Sequence, residues 1–558
     1  MKKTVGLFCL MFIFFYASFA QHYTHADTLR GSNGPGRDWW NATKYDLHVK
    51  FNLQDSTISG YNIISFKVLK KANEMQIDLQ QPMVIDSVLL LKADVARNAE
   101  RNEVIVLNNN DGIYRDGNAF FLKLNNYDLP LNTLHEILMY YHGKPRIAVK
   151  PPWDGGLVWA RDKQNNPWIS IACQGLGASV WYPCKDYQGD EPDSAEMHIT
   201  APSDLTAISN GRMRSKVDNN DSTTTTTWAV VNPINNYDFI PYIGKYTHFG
   251  EIYKGEKGDL TLDYWVLDSN LTKAKKQFRE VPRMMKAFEY WFGPYPFYED
   301  GYKLVDAPYL GMEHQSAVAY GNGYQNGYHG MDLSGTGVGM KWDFIIVHES
   351  GHEWFGNNIT SKDIADSWIH EGFTNYSETL FTEYWFGKKA ADEYVIGIRK
   401  NIENKEPIIS PYGVNADGPI DIYYKAANML HTIRQVIYND TIFRNILRGL
   451  NKTFYHQTVT SKQIENYIST KSKIDFSKVF DQYLRTIKIP TLEYKIRNGV
   501  LTYNWGNVVP GFNMPLKIYN EKGNLQFIYP KEKPQQTRTG MKELKVDQNF
   551  YILTNQIN

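Results

Sequence analysis

The chain has 558 residues, more than one ordinary domain needs, so two to four domains are expected. Sixty basic residues balance sixty acidic ones, which removes any general electrostatic reason to expect nucleic acid or an anionic membrane as partner and favours a small polar or peptide ligand. The 38 tyrosines and 14 tryptophans suit β-rich packing and aromatic pockets equally, and so decide nothing about function.

Taken in order, residues 1–20 combine two lysines, a short apolar run and a small-residue ending at Ala20, the layout of a secretory signal peptide. Cleavage after Ala20 and export to a periplasmic or extracellular compartment are expected. The apolar run is shorter than the roughly 20 residues that span a bilayer, and no later segment approaches that length, so no stable membrane insertion is expected after cleavage. Cys173 and Cys184 remain in the mature chain; export gives them the opportunity to pair, but two cysteines are not a disulfide scaffold.

From Lys44 apolar and polar residues alternate, with Tyr45, Leu47, Val49 and Phe51 on one side, the mark of a half-buried strand. Similar runs at Tyr61–Val68, Met75–Leu79, Val104–Leu107, Phe120–Leu124 and Leu134–Tyr140, with Asn, Asp, Gly and Pro between them, predict a β-sheet domain over residues 21–245. After Leu271 the period changes: Phe278, Val281, Met285, Phe288 and Trp291 recur at three or four residues, a helix stopping before Gly293-Pro294. A mainly helical domain over 246–489 follows. Past Pro490 alternation returns around an Asn498-Gly499 hairpin turn, which predicts a small β-sandwich over 490–558. The fold class expected is thus multidomain α+β.

The organising stretch runs from Asp343 to Leu380. His348 and His352 stand four apart, which on a helix stacks them on one face as a metal chelate. Glu349 projects beside that face without being a ligand and can take a proton from water activated by the metal. A catalytic zinc ion usually has three protein ligands, and Glu371, separated from His352 by eighteen residues, is the candidate for the third, on a second helix. Asp366, Glu353 and Glu378 are candidates for orienting the imidazoles.

H-E-x-x-H, eighteen residues and then Glu, inside W-I-H-E-G-F, resembles the M1 family of zinc aminopeptidases. The resemblance implies a saddle-shaped N-terminal β domain, a thermolysin-like catalytic domain, one zinc ion per chain, and hydrolysis of the N-terminal peptide bond of peptides with a free N-terminus. It also gives roles to outlying motifs. Gly311-Met312-Glu313 is similar to the family's exopeptidase motif, in which the glutamate binds the substrate's α-ammonium; His314 stands where asparagine is usual. Cys173 to Asp186 looks like the segment in which a glutamine, here Gln174, helps bind the N-terminal end, although Ala178 and Ser179 stand where many relatives have an arginine. Asp421 to Leu430 resembles the family's Tyr-x-Lys-Gly segment, which makes Tyr423, not Tyr424, the donor to the developing oxyanion and places Ala426 at the glycine. The stretch after Pro490 has no room for the long helical domain of many relatives, so a more open site is expected. A zinc endopeptidase would share the metal site without needing Glu313, and an inert peptide-binding relative would need neither Glu349 nor a full ligand set.

Overall fold

The computed structural model describes residues 23–71, 74–91, 104–107, 112–124, 127–520, 522–539 and 541–557; the segment read as a signal peptide, residues 1–20, lies outside the described residues. Among those described, no helix is long and apolar enough to cross a membrane.

The alternation from Lys44 becomes the centre of an eight-stranded sheet. Its spatial order is Arg212–Asp218, Thr223–Val230, Ser194–Pro202, Trp40–Asn52, Thr57–Val68, Leu134–Gly143, Val84–Leu91 and Val104–Leu107. Tyr45, Leu47, Val49 and Phe51 are buried while Lys50 is exposed, as the two-residue period of a strand requires. Val84–Leu91 has no clean alternation, because a bulge between Ile85 and Ser87 shifts its register. A smaller sheet, ordered Thr206–Ile208, Tyr242–Gly244, Pro167–Ala172 and Gly156–Arg161, contains the strand Pro167–Ala172, which delivers the chain to Cys173 and Gln174.

The part expected to be mainly helical opens with strands as well as helices. A five-stranded mixed sheet, ordered Tyr246–Gly255, Gly258–Leu267, Tyr302–Asp306, Val318–Tyr320 and Gly311–Met312, precedes and interleaves with the first helices. Its alternate residues serve two cores: Tyr302, Leu304, Val318 and Tyr320 pack into the helical core, whereas Val305, Ala319 and Met312 pack into the core of the N-terminal sheets. The two layers therefore share one sheet, and Glu313 follows its edge strand.

The single helix expected after Leu271 is two, Leu271–Gln277 (α1) and Glu280–Phe292 (α2). Pro282 has no N–H to give the carbonyl of Phe278 and is tolerated only in the first turn of a helix, so the helix restarts just before it. The break keeps Phe278, Val281 and Met285 in one buried core, which is why the periodicity conceals it. After the remaining helices the chain closes in two packed sheets, one of Gln535–Arg538, Val500–Gly506, Thr491–Arg497 and Leu553–Gln556, the other of Leu525–Ile528, Leu516–Tyr519 and Lys545–Val546. Asn498 and Gly499 both take positive φ (50° and 74°) at the first hairpin, as a two-residue turn requires.

Candidate metal centre and its cavity

Asp343 begins the helix Phe344–Gly351 (α3). Its Oδ1 accepts the amide N–H groups of Ile345 and Ile346 at 3.1 and 3.3 Å, and its other oxygen accepts from Gln277 Nε2 and Tyr320 OH at 2.8 Å each. The cap satisfies free N–H groups and ties the helix to the five-stranded sheet. The helix ends at Gly351, one residue before His352, which keeps helical backbone angles (φ −63°, ψ −22°), so the four-residue stacking of His348 and His352 survives. Beyond it Phe355 and Gly356 leave helical geometry, Gly356 at φ 138°, a conformation glycine adopts readily. That turn directs the Phe355 carbonyl inward, where it accepts from His352 Nδ1 at 3.1 Å.

Glu371 comes from the first turn of Trp368–Phe386 (α4). Its Oε2 lies 3.3 Å from His352 Nε2 and 3.7 Å from His348 Nε2. One turn pair further along, Glu378 Oε1 accepts from His348 Nδ1 at 2.7 Å, and the same carboxylate accepts from Asn375 Nδ2 at 2.9 Å and Tyr394 OH at 2.6 Å. Both imidazoles are thereby held as the tautomer that leaves Nε2 bare toward Glu371. Glu353 and Asp366 do not share this role. Glu353 accepts the Ser316 amide at 2.8 Å, and Asp366 accepts the Ser461 amide and hydroxyl and, at 2.8 Å, Tyr412 OH.

The three donors fit zinc. Glu371 Oε2 is buried and accepts no hydrogen bond, a costly state for a carboxylate oxygen without a cation. Tetrahedral zinc with bonds of about 2.0–2.1 Å needs donors roughly 3.3 Å apart, close to the separations found. Burial works to raise the Glu371 carboxyl, yet the two imidazoles hold it well below the usual range; His348 in turn is raised well above its usual value, because Glu371 and Glu378 outweigh its burial. The trio thus favours positive charge at its centre. A different cluster, Asp46, His48 and His198 on the N-terminal sheet, has its imidazoles stacked parallel at 3.8 Å, with the Lys44 ammonium 3.9 Å from Asp46, an array already supplied with a cation.

Glu349 lies beside the trio, and burial pushes it up to about 7, with His348 pulling down and Glu313 pushing up. Its carboxylate approaches Gly311 so closely that a Cβ there would stand 2.8 Å from Glu349 Oε1. Tyr423 precedes Tyr424–Ile437 (α5) and faces His348, ring centroids 6.1 Å apart. Gly372 sets that placement: a Cβ on it would meet Ala426 Cβ at 2.6 Å, so α4 and α5 pack almost backbone to backbone. The phenol is pushed well above its usual value, first by burial and then by Glu371, so it remains a proton donor.

Glu313, 2% exposed, closes the cavity from the N-terminal side. Gln174 Nε2 donates to its Oε1 at 2.6 Å and reaches Glu371 Oε1 at 3.4 Å, and Tyr237 OH donates to the same Glu313 oxygen at 2.9 Å. Met312 lines the wall beside it, and the whole cavity measures about 540 Å³. Among the described residues, none of the C-terminal sandwich lines it.

Residues 41–237 match the family described as "Peptidase M1 N-terminal domain" and residues 278–483 the one described as "Peptidase family M1 domain". The chain belongs to peptidase family M1. Among its relatives it is similar to a leukotriene A-4 hydrolase of Xenopus laevis (21% identical over 62% of this chain and 58% of the relative). It is also similar to an aminopeptidase N of Lactobacillus helveticus (25% identical over 35% of this chain and 25% of the relative) and to endoplasmic reticulum aminopeptidase 1 of mouse (22%, over 38% and 24%). The matches thus span less than two thirds of these relatives. A mutant M1 zinc metallopeptidase from Deinococcus radiodurans, solved with a Tyr-Ser-Ala substrate, has the same fold: TM-score 0.66, 17% identity, covering 82% of this chain and 96% of that one.

Where this M1 chain departs from the family pattern, the structure supplies the local chemistry. His314, in place of asparagine, is fully buried, and Tyr242 OH lies 2.8 Å from its Nδ1 while donating to the Ala317 carbonyl at 2.7 Å. His314 therefore donates through Nδ1; burial lowers it to about 3 and keeps it neutral. Cys173 and Cys184 are both free and buried. Tyr237 escaped the sequence reading, since Asn-Asn-Tyr-Asp looks like an ordinary turn; only the fold brings it to Glu313.

Proposed function

We propose that the protein is a zinc aminopeptidase acting on peptides with a free N-terminus, and that it acts after export. The observation that carries this reading is the Glu313–Gln174–Tyr237 group beside the three metal donors. Both hydrogen bonds to the Glu313 side chain go to Oε1, which leaves its second oxygen for a ligand. Burial, opposed by His352 and reinforced by Glu371, raises the Glu313 carboxyl, so an arriving ammonium supplies the charge that this carboxylate lacks.

His348, His352 and Glu371 would hold the ion, which would supply Lewis acidity toward the peptide carbonyl and the attacking water. Glu349, poised near 7, takes a proton from the attacking water and passes it to the leaving amine, a task for which a pKa near the working pH is best suited. Tyr423 donates its phenolic proton as a hydrogen bond to the carbonyl oxygen while charge builds there. Glu313 and Gln174 fix the α-ammonium, which sets the register of cleavage at the first peptide bond. A panel of aminoacyl amides with free and with acetylated α-amines, assayed with metal content measured alongside, tests this reading. Zinc-dependent cleavage of the free series alone is expected; equal cleavage of both series would favour an endopeptidase.

A further inference from the structure

The segment Thr24–Arg37 is bound to both walls of the cavity. Its helix, His25–Gly31, has a capping box at Thr24 and Asp27, and it passes so close to the catalytic part that a Cβ on Gly31 would stand 2.1 Å from the Val414 carbonyl carbon. Asn415 N–H donates to the Asp27 carbonyl at 2.9 Å. On the other side Arg37, fully buried, pairs with Asp78 and donates to the carbonyls of Arg30 and Ser32 at 2.7 and 2.9 Å. Gln76 Nε2 donates to the Leu29 carbonyl at 3.1 Å.

Arg30 projects from this anchored segment into the loop that carries Gln174. Its guanidinium donates to the Gly175 carbonyl and, through Nε, lies 3.4 Å from Asp186 Oδ2. The same Asp186 oxygen accepts from Ser179 Oγ at 2.6 Å. Glycine is required at 177 because a Cβ there would meet Asp186 Oδ2 at 2.0 Å and Arg30 Nε at 2.6 Å. Two atoms of one planar, permanently charged fork thus clamp the two ends of the loop 175–186, next to the residue that touches Glu313.

We propose that Arg30 is a positioning residue of the active site: it fixes the Gln174 loop from an N-terminal segment far away in sequence. Through Gln174 it governs how firmly Glu313 is held for the substrate amine, a consequence that rests on the aminopeptidase reading. The clamp itself does not.

The test has two arms. In Arg30→Ala, hydrogen exchange of the 174–179 amides should rise about tenfold or more whatever the substrate class, because their local opening loses a charged hydrogen bond. Unchanged exchange overturns the clamp. On free-amine substrates the same variant should raise KM roughly tenfold while kcat changes less than about threefold, zinc content staying at the wild-type level. A fall in kcat matching the rise in KM, or an unchanged KM with raised exchange, would overturn the role in amine binding. Should Arg30→Ala fail to fold, Arg30→Gln, which keeps a donor for Gly175 but no charge, carries both arms with the same expected directions. If wild type itself does not prefer free amines, the aminopeptidase reading fails while the exchange arm still judges the clamp.

Discussion

Glu378 and Glu353 flank the metal motif as two buried glutamates, and the structure assigns them opposite weights. Glu378 is fully buried and takes three hydrogen bonds, one of them from His348 Nδ1 at 2.7 Å. In Glu378→Gln the amide oxygen can still accept from His348 and Asn375, and the new NH₂ meets Tyr394 OH, which can accept; size is conserved, and the charge that fixes the His348 tautomer is lost. Removing such an outer partner weakens metal binding about 10- to 100-fold, or roughly 1.4 to 2.7 kcal/mol. Glu353 instead touches no imidazole and is pushed up to about 8, chiefly by burial, so it is neutral at pH 7 and a glutamine reproduces its state. Glu353→Gln should keep zinc affinity within about threefold. Competition against a chelator of known zinc affinity measures both. Equal affinities for Glu378→Gln and wild type, or an equal loss in Glu353→Gln, would refute the assignment.

Glu349→Gln should retain zinc and lose turnover by about 10² to 10⁴, since it removes the proton carrier and spares the ligands; zinc loss in that variant would make Glu349 a ligand. Tyr423→Phe should lower kcat by about 10² to 10³ with KM nearly unchanged, as expected of a hydrogen bond formed only in the transition state. His314 is lowered from 6.5 to about 3 by burial, so its contribution to stability is present above pH 6.5 and lost as pH falls toward 3. By about pH 5.5 that loss is roughly 1.4 kcal/mol. Urea unfolding of His314→Asn should lack this part of the pH dependence, and a slope equal to wild type between about pH 7.5 and 5.5 would contradict a buried neutral His314.

The metal donors were legible because their chemistry lies within one continuous stretch: helical spacing sets His348 against His352, and Glu371 needs only the next helix. Glu378 was legible too, seven residues on and so on the face of Glu371. Glu353 and Asp366 carry the same local signal, and only the fold turns them toward Ser316 and Ser461. The strand pattern from Lys44 gave the N-terminal sheet, while the bulge at Ile85 hid Val84–Leu91 and Pro282 split a helix whose apolar face is continuous. Tyr237 and Arg30 lie 76 and 145 residues from their partners Glu313 and Gly175. Contacts over such separations leave no periodic trace, which is why neither could be read in advance.

The central claim is that Glu313 makes this metal centre an exopeptidase. The direct measurement is kcat/KM of wild type and Glu313→Ala on matched peptides with free and acetylated N-termini. A charged hydrogen bond is worth about 1.5 to 3 kcal/mol, so the free series should fall roughly 10- to 200-fold in the variant, while the acetylated series, poor for wild type, should not suffer that further loss. An equal fall in both series would contradict the claim and leave Glu313 a structural residue of an endopeptidase.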